Sequence, residues 1–259
     1  MSLQLPVFFF LTALLYAAVG FGGGSTYNAL LVLFGTDYRV LPTIALACNI
    51  IVVTGGVLRY TLAGHLSIRR LLPFIAASIP AAWLGGRLPV SEAVFVGLLG
   101  AALFLSGVRL LFQKAPVAGE DDPIQETPVL LTALVGLAIG LLSGLVGIGG
   151  GIFLAPVLYL MRWGTPRQIA AACSFFILVN SISGLFGQIT KLQDAEILSM
   201  ALPYWPLLIA VFIGGQIGSW LGAKGLEAKW MKRLTAILIL YVAVRLLWRF
   251  AGLQTVITF

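Results

Sequence analysis

The sequence predicts an all-α integral membrane protein built from two inverted repeats, each a glycine-broken helical hairpin followed by three long transmembrane helices. Composition, the spacing of apolar runs and an internal repeat carry this reading. Of 259 residues, 60% are apolar and 10% are charged. Soluble domains carry about 25% charged residues. A chain of this size with so few could not cover its surface with polar groups. Soluble enzymes, disordered chains and disulfide scaffolds are excluded, and the lipid bilayer becomes the first expected partner.

A membrane-spanning helix needs about 20 apolar residues, because about 30 Å of hydrocarbon is crossed at 1.5 Å per residue. Apolar runs fall at 4–20, 24–35, 42–62, 71–87, 93–112, 128–147, 150–161, 168–189, 200–222 and 231–250. Met1-Ser2-Leu3-Gln4 leads straight into the first run with no basic leader and no small-residue cleavage site. It reads as a first membrane helix and not as a removed signal. The runs at 24–35 and 150–161 are each 12 residues long and would rise about 18 Å, too little to span. Each follows a glycine cluster, Gly22-Gly23-Gly24 or Gly149-Gly150-Gly151. Glycine interrupts helices and lets backbones approach closely. Each pair of runs therefore reads as a helix, a break and a half-helix, either re-entrant or crossing on a tilt. Between the two halves, Gly119-Glu120-Asp121-Asp122-Pro123 reads as a solvated linker.

The halves repeat one another. Gly20-Phe21-Gly22-Gly23-Gly24 resembles Gly147-Ile148-Gly149-Gly150-Gly151, and Ile44 to Cys48 resembles Ile169 to Cys173. Trp83-Leu84-Gly85-Gly86-Arg87 resembles Trp220-Leu221-Gly222-Ala223-Lys224, and Val108 to Phe112 resembles Val244 to Trp248. The offset stays between 125 and 137 residues and the order is kept. Residues 1–127 and 128–259 are thus two repeats within one membrane domain. A hairpin returns the chain to the side it left, and three spans then carry it across. The second repeat is expected to be inverted, with a site near the midplane where the broken helices meet.

Counting cations orients the chain. Arg39, Arg87, Lys191, Arg245 and Arg249 fall on the side of the N-terminus, and the other eleven of the 16 Lys and Arg on the opposite side. Basic residues gather on the cytoplasmic side, so both termini are expected in the periplasm. The same rule explains the net charge of +7. No basic run with interleaved aromatics points to nucleic acid.

The chemistry is sparse. None of the nine Asp and Glu lies inside a predicted span, which weighs against a cation pump or a carboxylate-based proton antiporter. The single histidine, His65, lies in a connection near Arg69 and Arg70. There is no metal-ligand spacing, no nucleophile motif and no nucleotide loop, so neither an enzyme nor a cofactor is expected. The glycine breaks remain. A half-helix that starts inside the membrane presents unpaired N–H groups and the positive end of its dipole, which can hold a small anion without a buried cation. Gly22, Gly23, Gly24, Ser25 and Thr26 would supply donors from the first break, and Gly149, Gly150, Gly151 and Ile152 from the second. Cys48 and Cys173 occupy equivalent positions, followed by Asn49 and Ser174. These pairs are either packing residues or the lining of the cavity. Asn180 and Gln188 lie within a long span and require helix contact or cavity lining. Arg59 either snorkels or draws anions into a vestibule. No aromatic stripe marks a subunit interface, which leaves a homo-oligomer open.

The stretches Val19 to Gly24 and Gly144 to Pro156 resemble the duplicated signature of the sulfite exporter TauE/SafE family, and the size, two halves and polar central loop also fit. The first copy departs at Ser25 and Thr26, where apolar residues are usual. The resemblance implies transport of a small sulfur-containing anion, such as sulfite, sulfoacetate or a related sulfonate, across a bacterial inner membrane. It implies export first, with import in some members. Taken with the inverted halves, this predicts a secondary carrier working by alternating access. An anion channel and a non-transporting membrane scaffold are the rival readings.

Overall fold

A computed structural model describes residues 4–18, 20–112, 128–191, 199–223, 240–241, 243–248 and 250–251. The described residues form helices and short connections. The first half comprises α1 (Gln4–Ala17), α2 (Gly24–Leu33), α3 (Leu41–Leu62), α4 (Ile68–Arg87) and α5 (Glu92–Phe112). The second comprises α6 (Val129–Val146), α7 (Gly151–Leu160), α8 (Pro166–Lys191) and, after a 3₁₀ turn at Leu202–Tyr204, α9 (Trp205–Ala223). The expected linker at Gly119 to Pro123 and most of the last expected span lie outside the described residues.

Four helices are long and apolar enough to cross a membrane: Leu41–Leu62, Val129–Val146, Arg167–Lys191 and Ser199–Leu221. The 20 residues of α4 would also rise about 30 Å. Arg69, Arg70 and Arg87 fall within it, however, and it is less apolar than the run at 71–87 suggested. The breaks fall where the glycines predict. The 14 residues of α1 and 10 of α2 rise about 21 and 15 Å. This first hairpin folds back on itself. Phe8 near its start lies 6.2 Å from Phe34 just past its end, and the Tyr16 hydroxyl is 2.9 Å from Thr26 Oγ1 at its tip.

Packing between the halves is reciprocal. α4 lies along α6, and its counterpart α9 lies along α1. α4 packs on α8 as α9 packs on α3, and α3 packs on α8. In a bilayer, apolar burial does not drive helices together, so close backbone approach and interhelical hydrogen bonds must. Gly136, Gly140 and Gly144 of α6 bring that helix against the carbonyls of Phe74, Ser78 and Ala82, leaving no room for a Cβ. Gly214 and Gly218 do the same against Phe10 and Leu14 of α1. Two apolar clusters fill the rest. One gathers Phe9, Tyr27, Leu31, Cys48 and Leu99; the other gathers Phe74, Leu154, Leu158, Cys173 and Phe176.

Candidate functional site

The two breaks meet. At each, the chain turns through glycines in the left-handed region: φ is +80° at Gly20 and +94° at Gly23, then +79°, +81° and +79° at Gly147, Gly149 and Gly150. An L-residue with a Cβ is strained there. The tip of the first hairpin touches the second: a Cβ at Gly24 would stand 2.8 Å from the Ile148 carbonyl oxygen and 3.0 Å from that of Gly147.

Asn49 of α3 sits at the junction. Its side chain is fully buried, and neither amide atom has a hydrogen-bond partner. A Cβ at Gly22 would come within 2.5 Å of its Oδ1; one at Gly24 would come within 2.5 Å of Nδ2, and one at Gly149 within 2.8 Å. Three glycines from both breaks thus make room for one carboxamide. Ser181 of α8 joins them, with its Oγ 3.1 Å from the Cβ position of Gly149 and also unpartnered. Ile177 closes the apolar side against Gly22, Gly149 and Gly151. Asn49 is the ninth residue of α3, about 12 Å along it, and so lies at depth.

The electrostatics follow from which helix ends are capped. α1 and α6 end at the breaks, α2 and α7 begin there, and the ends carry opposite dipoles. Side-chain donors satisfy carbonyls at the negative ends. Ser174 Oγ donates to the Gly20 oxygen at 2.7 Å. Asn28 Nδ2 donates to the oxygens of Val146 and Gly147 at 2.9 and 3.4 Å. Each half caps the other's break. The positive ends carry no side-chain cap. Thr26 and Tyr27 donate to the Gly23 oxygen, and Phe153 and Leu154 to that of Gly150, which leaves the N–H groups of Gly24, Ser25, Gly151 and Ile152 without an intrahelical acceptor. No charged residue lies in α1, α2, α6, α7 or α9, and Arg59 is the only one in α3. The polar groups left without a helical partner at the junction are backbone N–H donors, with no charged side chain beside them.

The expected site residues thus divide. Gly22 and Gly149 pack against both Asn49 and Ile177, Gly24 against Asn49 and Gly151 against Ile177. Gly23 and Gly150 are the left-handed N-caps. Ser25 is buried at the start of α2, and Thr26 is engaged with Tyr16. Ser174 caps a carbonyl. Cys48 and Cys173 belong to separate apolar clusters, where they pack. Gln188 is accounted for by helix contact, since Nε2 donates to the Gly144 oxygen at 2.8 Å. Asn180 bonds the Phe176 carbonyl one turn back. The Arg59 guanidinium is held by α9, donating to Gln216 Oε1 and Ser219 Oγ. Ser181 and Asn28 were missed. Ser181 follows Ser174 by seven residues, two turns along the same face, and that spacing could have found it.

At the end of the fold holding the α2–α3 connection, a cavity of about 490 Å³ is lined by Thr36, Asp37, Tyr38, Arg39 and Glu92. The Asp37 carboxylate pairs with Arg39 at 2.7 Å, and hydrogen bonds from Arg39 hold its carboxyl below the ordinary carboxylate range. A lowered folded value means stability present above the unfolded value and lost as pH falls through the folded one. Asp37→Asn should therefore lower the melting temperature slightly at pH 7, by less than about 1 kcal/mol for so exposed a pair. The difference should shrink as pH falls through the ordinary carboxylate range and vanish below the lowered folded-state value.

Among the described residues no group of His, Cys, Asp and Glu could hold a metal. The geometry instead defines a helical membrane protein whose central polar junction is built from two broken hairpins. The chain belongs to the sulfite exporter TauE/SafE family, whose profile it matches over residues 5–246. It is 36% identical over 248 residues to "Probable membrane transporter protein y4hK" of Sinorhizobium fredii, covering 95% of this chain and 98% of that one. A further "Probable membrane transporter protein", from Xylella fastidiosa, is 27% identical over 243 residues, 88% of each chain. One from Methanocaldococcus jannaschii is 24% identical over 227 residues, 83% of this chain and 82% of that one. No solved structure matches. The family and these relatives make the protein a multi-pass membrane transporter.

Proposed function

We propose that the protein is a secondary carrier for a small sulfur-containing anion, sulfite, sulfoacetate or a related sulfonate, working by alternating access across a bacterial inner membrane. The observation that supports this best is the pair of uncapped half-helix N-termini converging on the unpartnered Asn49 amide with no charged side chain beside it. Repeats 1–127 and 128–259 are inverted in this reading, consistent with the reciprocal packing of α1 on α9 and α4 on α6. Each hairpin tip comes from a different repeat, so rocking one against the other opens the junction to one side at a time. Export is the favoured direction: with the inside negative, an outgoing monoanion gains about 2.3 kcal/mol per 100 mV.

Purified protein in liposomes should move at least one of sulfite, sulfate, sulfoacetate, taurine and acetate saturably and with counterflow. Vesicles in which none moves under any gradient or potential would overturn the reading. Topology has its own test. Cys48 and Cys173 are wholly buried and give little labelling background. A cysteine at Gly35 should react with an impermeant maleimide from the periplasm and one at Gly64 only from the cytoplasm. The reverse pattern would invert the assignment.

A further inference from the structure

We propose that the anion held between the breaks is a monoanion that still carries an acidic proton, an oxyanion of the hydrogen sulfite type, so that substrate and proton cross together. This rests on the transport reading above and narrows its substrate.

Two features of the junction point there. The first is charge. A helix N-terminus acts as roughly half a positive charge, and α2 and α7 each offer one. Together they balance at most about one negative charge, since the ends of α1 and α6 at the same breaks oppose them. No cationic side chain stands by to balance a second, and an unpaired charge in a dry site is strongly disfavoured. The second is hydrogen bonding. A fully deprotonated oxyanion only accepts, and would pair with the free N–H groups and the Ser181 hydroxyl. The Asn49 carboxamide, whichever way it is turned, presents one acceptor as well as its donors, and that oxygen is buried without a partner. The Asn180 oxygen, one residue before Ser181 on α8, is also unpartnered. An O–H on the ligand satisfies such an acceptor, whereas a bare dianion sets its own oxygens against it.

The reading also answers how a proton could be coupled without an intramembrane carboxylate. The proton rides on the substrate and dissociates after release, giving the dianion and a free proton. No bond within the protein changes. The ionisable side chains on the elements packed about Asn49 are Tyr16, Tyr27, Tyr60, Tyr159, Cys48 and Cys173, with Arg59, Arg167 and Lys191 towards helix ends. None of these is a carboxylate or an imidazole, so the proton that crosses is carried on the ligand.

The test uses the wild-type protein in liposomes, with protein-free vesicles subtracted. Sulfite flux is measured at fixed total concentration across its second ionisation, beside sulfate and methanesulfonate, with a trapped pH dye. We expect sulfite flux to fall with the monoanion fraction, about tenfold per pH unit beyond the ionisation, the receiving compartment to acidify, and sulfate to move at under a tenth of the sulfite rate. Sulfite flux that holds or rises with pH, sulfate moving as fast as sulfite, or flux without acidification would overturn the inference while leaving transport intact. Absence of flux for every anion would overturn the transport reading and this one with it.

Discussion

Asn49→Leu is expected to abolish transport while leaving the protein as stable as before or more so. The two effects have one cause. The amide is buried with both polar atoms unpartnered, and a buried polar group in that state costs about 1–3 kcal/mol. Leucine fills a similar volume without that penalty, so thermal unfolding should stay level or shift upward. The same groups are what a bound anion would satisfy. Losing a hydrogen bond to a charged ligand costs about 1.5–3 kcal/mol, or about 10- to 150-fold in affinity. Flux at a fixed low substrate concentration should drop at least about tenfold. A residue kept for packing alone would show the opposite signature, with lower stability and transport that follows the amount of folded protein. Unfolding curves and liposome flux on the same preparation separate the two. Asn49→Leu protein that moves anions at the wild-type rate would remove Asn49 from the site.

Ser181→Ala should act in the same sense but less strongly, because one hydroxyl is lost and the amide stays. A reduction of about 5- to 30-fold in affinity corresponds to one net hydrogen bond of about 1–2 kcal/mol. Competition binding with the anion identified in the flux screen measures it.

Much of this arrangement is legible in the residues because glycine carries unambiguous information inside an apolar run. Gly22 to Gly24 and Gly149 to Gly151 marked the breaks, and the two short helices start at Gly24 and Gly151. Asn49 is reached through its neighbour Cys48, which matches Cys173 before Ser174. The partners of the junction were not legible. A seven-residue spacing from Ser174 places Ser181 on the same face of α8, but does not say whether it bonds its own helix backbone, as Ser219 does with the Gly215 oxygen. Which it does depends on α8 passing Gly149, a contact between residues 32 apart in sequence. Asn28 is a polar residue of a short half-helix, and its role appears only when Val146 of the other half arrives beside it. The cysteines show the converse: Cys48 and Cys173 stand at matched places in the sequence, yet each packs in an apolar cluster.

Gly144→Ala is expected to be the most damaging glycine-to-alanine change among the described residues. A Cβ at Gly144 would overlap the Ala82 carbonyl oxygen and press on the Gly86 nitrogen at 2.8 Å. Both are backbone atoms, so no side-chain rotation relieves the contact and α6 must move off α4. Overpacking of this kind costs about 1–3 kcal/mol, a drop of several degrees in a chain of this length. The displacement also spreads. The Gly144 oxygen accepts from Gln188 of α8, and α6 ends two residues later at Val146, whose oxygen accepts from Asn28. Moving α6 therefore shifts the second hairpin tip against the first, and flux should fall with stability. Gly56→Ala is the control: its Cβ would meet only Ser174 Oγ, at 3.6 Å, an ordinary contact, and a helical alanine there should be neutral or slightly stabilising. Thermal melts in one detergent compare the pair. Equal melting temperatures would mean that the α4–α6 seam yields freely, and the hairpin tips would then lack the rigid support that holds them around Asn49.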